Sequence, residues 1–335
     1  MTYCRKRSSS RYGIGLFLLM ICFLFAGFGE KKDMLPIYEE DISVLRTSSE
    51  SVTGSVSISL YRTDLGELQD VSLEDYIVGV VAAEMPQDFE IEALKAQAII
   101  ARTYTLWKAE QTDSLSNHGD LCDDPGHCQA YLSPEELRER WGSRYEENYH
   151  RVCNAVFDTE GQVLLFEDEL AQTFYHSACG GKTASAAEVW GEDIPYLQSV
   201  ACHWDRDAPR YCETVSVSLN ELPWLLGDGA SPCISVARGE DISHIPSAVA
   251  ETDSGRVQEV SYAGLIFDAM DFREALGLNS TCFTMAAEGD TLHITTYGYG
   301  HGVGLCQHGA NGLAREGKTC EEILSHYYRG VTLEK

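Results

Sequence analysis

One acid, Glu84, closes the stretch that begins at Leu73 and stands between two helical runs in LEDYIVGVVAAEMPQDFEIEALKAQAIIAR. A carboxyl group in the last turn of a helix faces the negative end of the helix dipole. Valines one turn back also desolvate it, and both effects favour the protonated form that a general acid needs. The ordinary alternative is a solvated glutamate at a helix end, and physical chemistry alone favours that alternative. A second group of reactive side chains crowds HGDLCDDPGHCQAY, residues 118–131. There His118, Cys122, His127 and Cys128 share a loop that Gly119, Pro125 and Gly126 let fold back on itself. Such a density of soft ligands suits zinc. A Cys122–Cys128 disulfide is the rival, and the interleaved histidines, which have no role in a disulfide, favour the metal. Cys179, Cys202 and Cys212 could be paired, metal-binding or free.

A third cluster, TYGYGHGVGLCQHGANGLAREGK, runs from Thr296 to Lys318. Gly298, Gly300, Gly302 and Gly304 remove side chains at every second position, so backbone can approach a ligand while Tyr297, Tyr299 and His301 project between. No Gly-Lys-Ser/Thr follows, which excludes a phosphate loop. Tyrosines and an imidazole beside bare backbone suit a sugar; the plainer reading is a tight strand-to-helix connection.

The elements that must position these groups follow from caps and periodicity. Ser72 is an N-cap with Asp75 three residues on, so a helix begins near Leu73, and Pro86 stops it after Glu84. A second helix is expected from about Glu90 to Ala109, with Leu94, Ala98, Ile99, Ala101 and Leu106 on its apolar side and Lys95 and Arg102 open to solvent or ligand. The pair makes a hairpin with Glu84 at its bend. Alternation at Val56, Ile58 and Leu60 predicts a strand, and further strands are expected at 163–166, 173–176, 215–219, 257–262, 283–287 and 292–297. Helices are expected at 133–149 and 267–276, a third from Gln307 to Glu316, and a last one opened by a Thr319/Glu322 capping box. This order gives an α+β fold, a mixed sheet with helices, rather than a regular βαβ repeat.

Composition bounds the setting. With 52 acidic against 25 basic side chains and a net charge of −27, a phosphate backbone would be repelled, so no nucleic-acid partner is expected. Arg5, Lys6, Arg7 and Arg11 precede an uncharged run from Gly13 to Gly29. Residues 1–30 therefore read as a cytoplasmic tail with a membrane anchor, or as a signal peptide. Residues 31–54 form a polar tether, and residues 55–335 the functional domain outside the membrane.

Three pairs of segments carry a resemblance: VVAAEMP with EALKAQAIIARTY, FYHSACGGKT with VWGEDIPYLQSV, and GYGHGVGLCQHGANGLAREGK with ILSHYYRGV. In this order they resemble the stage II sporulation protein D family, the SpoIID/LytB domain, from about Val56 to Val331. The resemblance implies a SpoIID-like domain whose helix hairpin carries the acid. It implies a lytic transglycosylase that cleaves denuded peptidoglycan glycan strands between N-acetylmuramic acid and N-acetylglucosamine, leaving a 1,6-anhydro product, during sporulation engulfment. The catalytic acid then falls on Glu84, acting first as acid and then as base. Arg102, Tyr175, His176, Ser177, His301 and Gln307 are the implied substrate-facing residues. A structural zinc is implied on His118, Cys122 and Cys128, with His127 as rival ligand. Implied partners are the amidase stage II sporulation protein P and protein M, at the mother-cell membrane facing the forespore. The alternative is a non-catalytic peptidoglycan-binding enhancer of a cell-wall amidase.

Overall fold

A computed structural model of the chain describes residues 5–7, 56–111, 119–227 and 245–335. The apolar run 13–29, the tether and His118 lie outside the described residues. Of the expected cytoplasmic tail only Arg5–Arg7 is described, and it pairs in parallel with residues 213–215 of the domain, which differs from a tail held across a membrane from that domain. Among the described residues no helix is long and apolar enough to cross a membrane.

The elements alternate irregularly, and the expected α+β class holds. A three-residue strand β1 (Arg5–Arg7) is followed by the hairpin β2 (Ser57–Arg62) and β3 (Glu67–Ser72), then α1 (Leu73–Glu84) and α2 (Ile91–Gln111). Next come β4 (Leu121–Cys122), α3 (Pro134–Trp141), α4 (Tyr145–Asp158), β5 (Val163–Phe166), β6 (Glu169–Leu170), β7 (Tyr175–His176) and α5 (Ala186–Trp190). The second half holds β8 (Cys212–Ser218), α6 (Leu222–Leu225), β9 (Ser247–Glu251), β10 (Val257–Tyr262), β11 (Leu265–Asp268) and α7 (Ala269–Leu276). It ends with β12 (Phe283–Glu288), β13 (Thr291–Tyr297), β14 (Leu305–Cys306), α8 (Gln307–Arg315), α9 (Cys320–Tyr327) and β15 (Thr332–Glu334).

These strands form five small sheets, ordered β1-β8-β13-β12, β11-β10-β9, β14-β7, β15-β5-β6 and β3-β2-β4. Two apolar cores result. The smaller packs β8, β10, β12 and β13 on α7 through Val217, Val260, Phe272, Phe283, Leu292 and Ile294. The larger gathers α1, α2, α4, α8 and α9 with the short sheets around them. At its centre α2 is buried on all sides, from Ala93 through Thr105 apart from Lys95. Each buried Leu or Ile there contributes about 1.5–3 kcal/mol, which makes α2 the post against which the other helices are set.

Local chemistry places most boundaries. The Ser72 hydroxyl accepts from the Asp75 N–H, and α1 ends where Met85 turns extended (φ −115°, ψ 142°) ahead of Pro86. Both capping boxes read from sequence, Ser133/Glu136 and Thr319/Glu322, are present. The single helix expected over 133–149 is instead two, because Gly142 adopts φ 53° and ψ −124°, and the second runs on to Asp158.

The hairpin between α1 and α2 is held from outside. Arg151 of α4 donates to the carbonyls of Gln87 (3.0 Å) and Phe89 (2.6 Å). The Glu90 N–H donates to Asn311 Oδ1 of α8 (2.8 Å). A bend fixed at three backbone groups presents its carboxylate in one place.

Candidate active site

Glu84 is the last residue of α1 and is half-buried. Its Oε1 accepts from the Ala130 N–H at 3.0 Å. The Tyr175 hydroxyl and the Gln307 side-chain amide lie within hydrogen-bonding reach of the same carboxyl. Burial raises its pKa above the ordinary glutamate value, and these three donors, which favour the carboxylate, act against that rise. Among the described residues no other carboxylate acts on it. The arrangement is an acid that can hold its proton, ringed by neutral donors that can receive it as a carboxylate.

Each donor has its own support. Ala130 belongs to the segment 129–132, which lies on α1 where Gly79 has no side chain: a Cβ there would meet the Tyr131 ring and, at 2.6 Å, the Leu132 carbonyl. Tyr131 stacks on Tyr76 of α1, with centroids 5.4 Å apart. Tyr175 sits at the start of β7 with its hydroxyl 3.1 Å from Gln129 Oε1, the acceptor its single proton serves until Glu84 ionises and takes that proton's hydrogen bond, while Gln129 Nε2 donates to Thr105 Oγ1 of α2 (3.1 Å). Gln307 opens α8, next to Gln97 of α2 at 3.5 Å. Sequence reasoning missed Gln97, Gln129 and the Ala130 N–H. Gln97 was detectable as a polar residue on the apolar side of α2; the other two depend on how a loop folds.

The remaining expected substrate contacts are not among the groups that act on Glu84. Arg102 was expected to be open to solvent or ligand, but it is fully buried. Its Nε and Nη2 pair with Glu74 at 2.8 and 2.6 Å, and Nη1 and Nη2 donate to the carbonyls of Gln162 (3.1 Å) and Val156 (3.2 Å). With its donors consumed inside the core, Arg102 forms a structural ion pair with Glu74.

His176 is buried, with Nδ1 3.1 Å from the Val303 carbonyl. Desolvation, then His301 and Arg256, hold its pKa well below the ordinary histidine value. Both nitrogens of His301 are used: Nε2–H donates to the Tyr175 carbonyl (2.9 Å) and Nδ1 accepts from the Val303 N–H (3.1 Å). Burial brings its pKa down to about 4, so it is a neutral brace behind Tyr175 rather than a base. Ser177 acts through its carbonyl, which accepts from the His308 N–H (3.1 Å).

The alternating glycines serve packing rather than ligand approach. A Cβ at Gly302 would run into the Arg256 guanidinium, and one at Gly304 into the Phe174 carbonyl. Their positive φ values, 89° and 74°, are open to glycine at little cost. This seats β14 beside β7 and so sets Gln307 next to Tyr175.

The cysteine loop precedes the Ala130 segment directly. Cys122, His127 and Cys128 come together, with His127 Nδ1 3.3 Å from each sulfur. Ligands around tetrahedral zinc stand roughly 3.5–3.8 Å apart, so these three donors fit that ion, and they include His127, the rival of His118. Asp123 of the same loop bonds Arg62 at 2.8 Å, and Arg62 also holds Glu136 of α3 at 3.0 Å. The loop is thereby tied to β2 and α3.

The SpoIID profile, described as stage II sporulation protein, matches residues 61–166. Stage II sporulation protein D of Bacillus subtilis (strain 168) is 34% identical over 330 residues, 96% of this chain and 93% of the relative. That of Bacillus amyloliquefaciens is 37% identical over 281 residues, 84% of this chain and 79% of the relative. The chain belongs to the stage II sporulation protein D family. The amidase enhancer of B. subtilis is 25% identical over 303 residues, 76% of this chain but 40% of its own length. Within this family member the profile covers Glu84, the cysteine loop and Ala130, whereas Tyr175 and Gln307 lie beyond it.

Proposed function

We propose that the chain is a lytic transglycosylase acting on peptidoglycan glycan strands during sporulation. The observation that carries the reading is one half-buried acid with a raised pKa, three neutral donors and, among the described residues, no second carboxylate acting on it. Hydrolysis of a glycoside ordinarily uses two carboxyl groups. A single group suffices when the substrate supplies its own nucleophile.

Protonated Glu84 donates to the glycosidic oxygen as the bond from muramic C1 breaks, with positive charge developing on the ring. The resulting carboxylate is received by the Ala130 N–H, Tyr175 and Gln307. It then takes the proton of the muramic 6-hydroxyl while that oxygen bonds to C1, closing the 1,6-anhydro ring and restoring the acid. No water is consumed. His301 holds Tyr175 in place, and Gln97 and Gln129 orient the amide and hydroxyl.

The acid chemistry needs no metal, and zinc on Cys122, Cys128 and His127, with His118 of the same loop, would brace the segment that ends in Ala130. The apolar run 13–29 would anchor the domain at the mother-cell membrane facing the forespore. Stage II sporulation proteins P and M are the proposed partners. The similarity to a protein named amidase enhancer supports a second reading, in which the same cleft binds glycan without cutting it.

The test is mass spectrometry of peptide-free glycan strands incubated with the unaltered chain and with Glu84→Gln. Anhydro-terminated products from the first and none from the second are expected. Intact strands that remain bound by both proteins would replace the proposal with the enhancer reading.

A further inference from the structure

Behind Tyr175 and Gln307 lies a second group of metal-ligating side chains that takes no part in the chemistry above. Cys179, Cys202 and Cys306 are all buried, as is Asp205. The ligand atoms of Cys179, Cys202 and Asp205 lie within 4.8 Å of one another, and Cys306 shares a second such group with Cys179 and His176. Asp205 Oδ2 is 3.2 Å from the Cys179 sulfur and 3.9 Å from that of Cys306. The Cys306 and Cys202 thiols are also within hydrogen-bonding reach of each other. In sequence these residues fall in three separate segments, and Cys306 was not singled out. Cys212, grouped with Cys179 and Cys202 by spacing, lies apart at the start of β8 and is engaged in a disulfide.

Independent observations point to a ligand. Asp205 Oδ1 is buried without a partner, although Oδ2 receives the Gly180 N–H (2.8 Å). His176 Nε2 is buried and unpartnered too. Because a carbonyl can only accept, Nδ1 carries the proton toward Val303, which leaves the lone pair on Nε2. A carbonyl behind the ring is also the usual setting of a metal-bound histidine.

Donors stand ready for thiolates. Gly309 N–H points at the Cys306 sulfur (3.4 Å) at the opening of α8, and the Tyr327 hydroxyl is 3.2 Å from the Cys202 sulfur. Beside them Arg256 is buried with Nε and Nη1 unsatisfied, and Nη2 donates to the Cys179 carbonyl (2.9 Å). Among the described residues no carboxylate forms an ion pair with it. Three thiolates and a carboxylate around a divalent cation leave a net negative charge, which is the counterion that Arg256 lacks.

We propose that Cys179, Cys202, Cys306 and Asp205 form a second, buried zinc site, distinct from the Cys122 loop, with His176 placed to exchange with Asp205. Three thiolates and one oxygen suit a thiophilic, redox-inert cation of tetrahedral preference. The ion joins the chain just after β7 to the junction of β14 and α8. It therefore pins the two elements that bring Tyr175 and Gln307 to Glu84, and its role is structural. The sites differ in their consequence: the loop metal supports Ala130 on one side of the acid, and the buried one supports Tyr175 and Gln307 on the other.

The test counts metal in the full chain, produced under reducing conditions and incubated with zinc alone. Native mass spectrometry should show two zinc ions on the unaltered chain and one on Cys122→Ser/Cys128→Ser. Chelator competition on that double variant should find zinc held about 10–100-fold more weakly when Tyr327→Phe removes the hydroxyl from Cys202. Tyr327→Phe changes no ligand, so a folding failure of the cysteine variants does not block this measurement. One zinc on the unaltered chain with none on the double variant would overturn the proposal. So would a disulfide between any two of Cys179, Cys202 and Cys306 in the peptide map of the protein as isolated.

Discussion

Helix α1 carries two glutamates with opposite fates, one at each end. Glu74 lies in the first turn, where the helix dipole favours negative charge, and meets the buried guanidinium of Arg102 in a bidentate pair. Glu84 lies in the last turn, where the dipole opposes charge, and among the described residues it meets neutral donors alone. Burial with a cation makes a permanent ion pair and therefore a structural tie. Burial with neutral donors leaves a proton that can come and go, which catalysis requires. Chemistry on this helix is thus decided by what surrounds each carboxyl group.

The largest effect expected from breaking this contrast is on turnover. Glu84→Gln keeps the hydrogen-bonding shape but cannot move a proton, and glycan cleavage should fall by roughly 10²–10⁴-fold. The same variant should melt higher than the unaltered chain at alkaline pH. The raised folded-state pKa means the native carboxylate is disfavoured once pH exceeds it, and the amide escapes that cost. The gain should shrink as pH falls through the Glu84 pKa; a gain that grows on acidification would reverse the assigned direction.

Breaking the other end should cost stability. Arg102→Met leaves Glu74 without its cation and should lower the unfolding free energy by about 3–5 kcal/mol, read by denaturant titration. Adding Glu74→Leu should restore much of it, since an apolar pair of similar volume often replaces a buried ion pair without loss. If the double variant is no better than the single one, the loss lies in the carbonyls of Gln162 and Val156 rather than in the ion pair.

A smaller change is expected at the cysteine loop, where zinc at a hundred times its Kd should stabilise the fold by about 2.7 kcal/mol. Chelation should accordingly lower the Tm of the unaltered chain more than that of Cys122→Ser/Cys128→Ser. Equal shifts would remove the loop metal. The smallest effect is Tyr175→Phe, which deletes one donor to Glu84, about 1 kcal/mol. Losing a bond to the carboxylate raises the Glu84 pKa further, so the limb of the pH–rate profile that reports loss of its proton should move to higher pH. An unmoved limb would detach Tyr175 from the acid.

Local chemistry made α1 legible in sequence: Ser72, Pro86 and the valines set its ends and its buried face, and with them the position of Glu84. The capping boxes at Ser133 and Thr319 were legible for the same reason, since both partners lie within one turn. What escaped depended on distance along the chain. Arg102 looks available on α2 until Glu74, from the previous helix, and two carbonyls 54 and 60 residues downstream close around it. The glycines after Tyr297 look like a ligand cradle until Arg256 and Phe174 occupy the space beside them. Gln129 and Ala130 are unremarkable in sequence, and only the packing of their segment on Gly79 turns them toward the acid. Gln307 and Tyr175 were named from the resemblance, and both reach Glu84.

In the proposed reaction Glu84 works alone with the substrate's own hydroxyl, and isotopic labelling tests this most directly. Peptide-free glycan strands are digested in water enriched in oxygen-18 and the new ends are weighed. If the ring closes on the muramic 6-oxygen, the products should carry no label and weigh one water less than reducing ends. One labelled oxygen per cut would mean that water is the nucleophile, which would contradict the single-acid account.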